Sequence, residues 1–144
     1  MADLYTDISF ETSKLVTRSY STSFSKAVSF LDSEIRDAIY SIYGFVRLAD
    51  EIVDTFHDFN KQYLLEKFEE DLIDSIKNGI SLNPVMNAFI LTVKKYNIDD
   101  ELIQAFLKSM KTDLFKSNHI SKEETDEYIY GSAEVVGLMC LKVF

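Results

Sequence analysis

Apolar positions along the chain recur mostly at helical spacing. Ile35, Ala38, Ile39, Ile42, Phe45, Val46, Ala49 and Val53 fall three or four apart, the stripe of a long core-facing helix from about Ser33 to Phe56, with Asp32 placed as its N-cap. Leu65, Phe68, Leu72 and Ile76 predict a helix over Gln62–Lys77, closed by Asn78-Gly79. Asn83 before Pro84 is an N-cap with proline at the first helical position, so another helix runs from there to about Tyr96. Asp99-Asp100-Glu101 opens one carrying Leu102, Ile103, Phe106, Leu107, Met110 and Leu114. Ser121 with Glu124 makes a capping box for a last helix, still in apolar stride at Leu141-Lys142-Val143-Phe144. At the other end, Ile8, Leu15 and Val16 predict the inner face of a helix over Asp7–Arg18. The hydroxyl-rich Ser19-Tyr20-Ser21-Thr22-Ser23-Phe24-Ser25 that follows reads as a break.

The expectation is an all-α bundle of about six helices forming one unit over residues 1–144. Composition agrees. Four glycines and one proline in 144 residues leave few tight turns for an all-β fold. Hydrophobic residues at 47% suffice for a packed core and are too many for disorder. The net charge of −9 argues against a nucleic-acid binder, which needs a basic stripe, and against adsorption to anionic lipid. Acids near the N-terminus stand where a signal peptide carries positive charge, and no apolar run approaches a membrane span. The single cysteine, Cys140, sits in an apolar run and reads as a buried, inert thiol. Together these predict a cytoplasmic protein.

One constellation carries chemistry. Tyr43, Arg47, Asp50 and Asp54 are spaced 4, 3 and 4, so they share one helix face. Asp50 and Asp54 are separated by about 6 Å of helical rise. Two carboxylates at that spacing can share Mg²⁺ whose other positions go to phosphate oxygens and water. Arg47, one turn earlier, could reach the same phosphates with its planar fork. The same spacing also suits a solvated face with an Arg47–Asp50 or Arg47–Glu51 ion pair. Against that stand Ile42, Phe45, Val46, Leu48, Ala49, Ile52 and Val53, which make the helix apolar around most of its circumference. Buried acids need a partner or a metal.

Other chemistries fit poorly. A di-iron bundle uses paired Glu-x-x-His motifs, and the nearest match is Asp54-Thr55-Phe56-His57. His57 and His119 read as surface and loop residues, Asp71 and Asp74 as surface acids, and Asp99 and Asp100 as N-terminal acids favoured by the helix dipole. A Gly-rich phosphate loop and a nucleophile elbow are both missing. Tyr20, Phe24, Tyr40, Tyr43, Tyr128 and Tyr130 fall near the constellation or on the last helix, and such aromatic walls suit a long apolar ligand or a carbocation.

Ser21-Thr22-Ser23-Phe24 followed by Tyr43-Gly44-Phe45-Val46-Arg47-Leu48-Ala49-Asp50-Glu51-Ile52-Val53-Asp54 resembles the start of squalene and phytoene synthases. In that family Ser-x-Ser-Phe precedes a helix bearing Tyr-x-x-x-Arg-x-x-Asp-Asp-x-x-Asp. Tyr128-Ile129-Tyr130-Gly131-Ser132-Ala133-Glu134-Val135-Val136-Gly137 resembles the family's Tyr-x-x-x-Val-Ala-Gly-x-Val-Gly helix. The likeness spans about residues 10–144. It implies an isoprenoid-synthase fold and Mg²⁺-dependent head-to-head joining of two C15 or C20 prenyl diphosphates. It implies that Asp50, Asp54 and Glu51 bind metal and that Arg47 contacts diphosphate. Ser21, Phe24 and Tyr43 would line the diphosphate and cavity region, Tyr128 would stand near the reacting carbons, and Val136 and Gly137 would line the tail pocket. Tyr43, Arg47 and Tyr128 are thus the implied catalytic residues.

The chain departs from the family pattern in places. Glu51 replaces the second Asp, Tyr20 stands where a histidine is frequent, and Ser132 and Glu134 replace Val and Gly. Family members run roughly twice this length, and their second Asp-rich motif lies beyond residue 144. The chain then reads as the N-terminal half of such an enzyme, with weak or no turnover alone, an exposed apolar surface prone to self-association, and membrane contact only through an apolar product. A chain-elongating synthase or terpene cyclase would share acidic motifs but not the Ser-x-Ser-Phe and Tyr128–Gly137 segments. The alternative from another class is a non-catalytic helical module of the same fold that binds a protein partner or an apolar ligand.

Overall fold

The computed structural model describes residues 3–114 and 134–144. Among these residues it holds seven helices: α1 (Leu4–Tyr20), α2 (Thr22–Val28), α3 (Ser33–Thr55), α4 (Lys61–Asn78), α5 (Pro84–Tyr96), α6 (Asp100–Leu114) and α7 (Val135–Leu141). The all-α expectation holds, with one more helix than predicted. The hydroxyl-rich break is a single residue, Ser21. Its backbone is extended, and its side chain accepts from the Phe24 amide at 3.2 Å, capping α2. Serines there cap and pack a short helix instead of dissolving one.

Helix α3 packs against all six others. Its apolar side centres on Phe45, fully buried, whose ring stacks on Phe89 of α5 at 3.9 Å and 5°. Phe68 of α4 lies 5.1 Å from the same ring and Phe106 of α6 lies 5.9 Å away. One side chain thus ties three helices to α3 through area burial and ring contacts. The predicted stops and starts on α4 and α5 are present. Gly79 adopts φ +79° and donates to the Ser75 carbonyl at 2.7 Å, and Asn83 accepts from the Val85 and Met86 amides at 3.0 and 3.2 Å.

Helix α1 overturns the sequence expectation. Of the three apolar residues predicted inward, only Val16 packs partly buried against the core; Ile8 and Leu15 are exposed, and the fully buried face is Ser9, Ser13 and Thr17. These hydroxyls donate to the carbonyls four residues earlier, at 2.7, 3.0 and 2.9 Å, so they enter the interior already satisfied. Their small size lets α1 lie close against α3. A Cβ built on Gly44 would stand 3.3 Å from both Cα and Cβ of Ser13. Asn87 of α5 completes the seam, donating to Ser9 Oγ at 3.0 Å and accepting from the Ser81 amide at 3.0 Å.

A similar substitution occurs on α4. Ile76, predicted inward, is exposed, and Ser75 is buried in its stead, donating to the Asp71 carbonyl at 2.5 Å. The start predicted for the last helix, Ser121, lies outside the described residues. Its end is earlier than predicted. α7 stops at Leu141, and tight bonds from the Val143 and Phe144 amides to Cys140 and Leu141 carbonyls turn Val143 into the core. Cys140 is partly buried, and burial pushes its thiol up to about 11, so it is protonated and unreactive at neutral pH. No helix among the described residues is long and apolar enough to cross a membrane.

The close seam makes Gly44 sensitive to volume. Gly44→Val should destabilise the fold by roughly 2 kcal/mol or more, because the added methyls meet the Ser13 backbone and cannot be absorbed by a side-chain rotation. Chemical denaturation measures this; an unchanged midpoint would show that α1 and α3 separate freely.

Candidate functional site

The long apolar circumference of α3 leaves a narrow polar stripe, and that stripe is the site. Ile42, Phe45, Val46, Ala49, Ile52 and Val53 are buried as expected, with Leu48 partly so. Tyr43, Arg47 and Asp50 are half-buried along the stripe, and Asp54 at its end is exposed. The acids are therefore less enclosed than the apolar flanks alone predict.

Helix α2 forms one wall. Phe24 stacks on Tyr43 with ring centroids 4.8 Å apart at 24°. Ser21 serves as the α2 cap, which fixes where Phe24 sits. Tyr20, at the end of α1, covers the guanidinium of Arg47, whose Cζ lies 4.5 Å from the ring centroid. The Tyr20 hydroxyl also acts on the Glu51 carboxylate. The sequence places Tyr20 among the aromatics near the constellation and in the position of the family histidine; the structure sets its ring over Arg47.

Arg47 is held loosely. Its terminal nitrogens lie 3.6 Å from Asp50 and 3.7 Å from Glu51, beyond hydrogen-bond length, and its Nε is buried without a partner. Such a fork has donors free for an oxyanion. Glu51 is anchored differently. The Thr55 hydroxyl bonds to its Oε1 and, with the nearby Tyr20 hydroxyl, holds the carboxylate below its usual range, while its Oε2 has no hydrogen-bond partner.

Asp50 shows the strain in this arrangement. Burial pushes its carboxyl up to about 6; Arg47 works against the shift, while Asp54 and Asp113 add to it. Asp113 lies in the last turn of α6, a different element, so no helical-face spacing links it to the stripe. Three carboxylates thus act on one place with one guanidinium beside them. Hard oxygen donors with excess negative charge suit Mg²⁺. Among the described residues, however, no three such groups are clustered closely enough to hold a metal by themselves. The fit is to a metal that takes one or two protein carboxylates and completes its shell elsewhere.

The remaining predicted residues are less informative. Val136 is partly buried against the core, whereas Gly137 is exposed, with open space around a built Cβ. Glu134 is exposed at the start of α7, so its charge costs no burial. Tyr128, Tyr130 and His119 lie outside the described residues. His57 is exposed beyond the end of α3, and Asp74, Asp99 and Asp100 are exposed as expected, with Asp71 half-buried and paired to Lys67 at 3.2 Å.

The raised Asp50 carboxyl has a thermodynamic sign. The folded state holds its proton more tightly than the unfolded state, so its contribution to stability falls as pH rises from about 4 to about 6. Asp50→Asn should therefore stabilise the metal-free chain at pH 7 by about 1 kcal/mol, after allowing for solvent screening of a partly exposed group. The gain should vanish near pH 4. Thermal melts at both pH values check this, and an Asp50→Asn variant less stable at pH 7 would contradict it.

The sequence profile of squalene/phytoene synthase matches residues 17–144. A phytoene synthase of Arthrospira platensis is 29% identical over 136 residues, which is 94% of this chain and 44% of that protein. The chloroplastic phytoene synthase 3 of Zea mays is 30% identical over 128 residues, 89% of this chain and 30% of its own length. In structure, squalene synthase HpnC from Alicyclobacillus acidocaldarius superimposes with a TM-score of 0.85 at 26% identity, over 99% of this chain and 54% of that one. A dehydrosqualene synthase in complex with ligand gives 0.83 at 25% identity, over 96% and 48%. The chain spans about half the length, or less, of these relatives. With the profile covering most of its residues and the helical architecture shared, the chain belongs to the squalene/phytoene synthase family.

Proposed function

We propose that this chain supplies one wall of a prenyltransferase site that joins two C15 or C20 prenyl diphosphates head to head. The observation that carries the reading is the loosely held Arg47, with an unpaired buried Nε, beside Asp50 and Asp54. In this reading Arg47 binds oxygens of a diphosphate through its free donors. Asp50 and Asp54, with Glu51, would hold Mg²⁺. Bound Mg²⁺ supplies charge neutralisation for a diphosphate leaving group.

The chain's own residues do the rest. The Phe24–Tyr43 stack forms an apolar wall against water, and its ring faces suit a developing carbocation. Tyr20 steadies both Arg47 and Glu51, so the cation stays aimed along the stripe. Tyr128 is assigned near the reacting carbons and Val136 with Gly137 near the tail, on the family pattern alone. The chain works as one all-α unit in the cytoplasm, meeting membranes only through its apolar product. Exposed Ile73, Ile76, Ile80 and Leu82 support self-association. Positioning from two walls governs such catalysis, so the 144 residues alone bind substrate and turn it over weakly.

Binding is therefore the readout. A non-hydrolysable thio-analogue of a prenyl diphosphate, with Mg²⁺, should raise the melting temperature of the chain. A ligand at about a hundred times its Kd stabilises by about 2.7 kcal/mol, several degrees for a domain of this size. Asp54→Asn and Asp50→Asn should abolish the Mg²⁺-dependent part, and Arg47→Gln should weaken binding of the analogue. A shift that is equal with and without Mg²⁺, or unchanged in Asp54→Asn, would overturn the assignment.

A further inference from the structure

The chain is acidic, with 15 Lys and Arg against 24 Asp and Glu. Yet four of those cations, Lys14, Arg18, Lys26 and Arg36, line a single cleft of about 360 Å³. They arrive from three elements: two from the second half of α1, one from α2 and one from the first turn of α3. No carboxylate lines the cleft, and among the described residues none of the four is in an ion pair. Asp37 lies outside the cleft lining; burial raises its carboxyl above the ordinary range, while Arg36 and Lys14 work against that shift.

Hydroxyl donors accompany the cations. Thr22, Ser25 and Ser29 also line the cleft, and with Lys26 they share one face of α2. Phe24, which stacks on Tyr43, lies on the opposite face of the same helix. Tyr40 fixes α2 in place by donating from its buried hydroxyl to the Ser25 carbonyl at 3.2 Å. Arg36 precedes Arg47 by eleven residues, about 16 Å of helical rise. The cleft is therefore separate from the acidic stripe.

Converging like charges repel and are compensated by a bound anion. We infer that this cleft is a second, metal-independent binding site for a diphosphate group. Two linked phosphoryl groups can engage cations presented from three helices at once, where a single phosphate would leave part of the set unused. The protein's own ammonium and guanidinium groups supply the positive charge that Mg²⁺ supplies at an acidic site. The inference does not depend on the prenyltransferase reading.

The test is a calorimetric titration of the 144-residue chain with inorganic diphosphate in EDTA at low salt. One-site binding is expected, at least tenfold weaker in Lys14→Gln/Arg36→Gln and in Arg18→Gln/Lys26→Gln, and unchanged in Lys67→Gln, a surface lysine of α4 outside the cleft. Arg18 and Lys26 are exposed, so the second pair decides the matter if the first fails to fold by circular dichroism. A prenyl diphosphate thio-analogue and phosphatidylglycerol vesicles identify the source. Binding of the analogue with the same variant pattern supports a diphosphate head group. Absence of free diphosphate binding, retention in both double variants, equal loss in Lys67→Gln, or binding to vesicles alone would each overturn the proposal. Because Mg²⁺ is excluded, failure here leaves the Mg²⁺-dependent shift of the acidic stripe to be judged by itself.

Discussion

The structure depends on burying α3 around nearly its whole circumference. Phe45 is the centre of that burial, with Phe89 flat against its ring and Phe68 and Phe106 at its sides. Helix α3 runs uninterrupted for 23 residues, with no proline and no positive-φ residue, so it passes every helix that meets at Phe45. Its Gly44 serves a different purpose. It removes the side chain where α1 crosses, so α3 is gripped on the face next to Phe45 by a seam of hydroxyls. The polar stripe is what remains between these two contacts.

That geometry explains why the site is electrostatically unsatisfied. A side chain on a buried helix has little freedom to find a partner, and the stripe offers Arg47 only carboxylates at 3.6 and 3.7 Å. The carboxylates in turn crowd one another, and Asp50 rises to about 6 under burial and the charges of Asp54 and Asp113. Ion pairs made for stability close to hydrogen-bond length and satisfy their donors. A fork left open beside excess acid is poorly suited to holding a fold together and well suited to a ligand carrying both negative oxygens and a cation. Tyr20 and Thr55 oppose the disorder this invites by pinning Glu51.

Much of this was legible in the sequence, and the exceptions have common physics. Helices α3, α5 and α6 announce themselves because their interiors are built from large apolar residues at helical spacing. The stripe from Tyr43 to Asp54 was legible for the same reason, since one helix sets its register. Helix α1 was misread because its inner face is Ser9, Ser13 and Thr17, whose hydroxyls are satisfied by their own helix and so carry no hydrophobic signal. Ser75 displaced Ile76 on α4 in the same way. Helix α2 was read as a break because serine propensity favours caps, and one serine does cap it. Asp113 and the ring of Tyr20 over Arg47 were not legible, since both depend on which helices pack together.

Helix α2 gives the last step. At seven residues it is too short to be stable by propensity, so its position is set by contacts at its two faces. One face presents Phe24 to Tyr43 on the acidic stripe, and the other presents Lys26 and its hydroxyls to the basic cleft. Tyr40, lying between Arg36 and Tyr43 on α3, holds the helix by a single hydrogen bond to Ser25. Sites of opposite charge preference are thus built on the two sides of one weakly self-stable element. The hydroxyl-rich segment between α1 and α3 is therefore held as a helix by packing on both of its faces rather than by propensity.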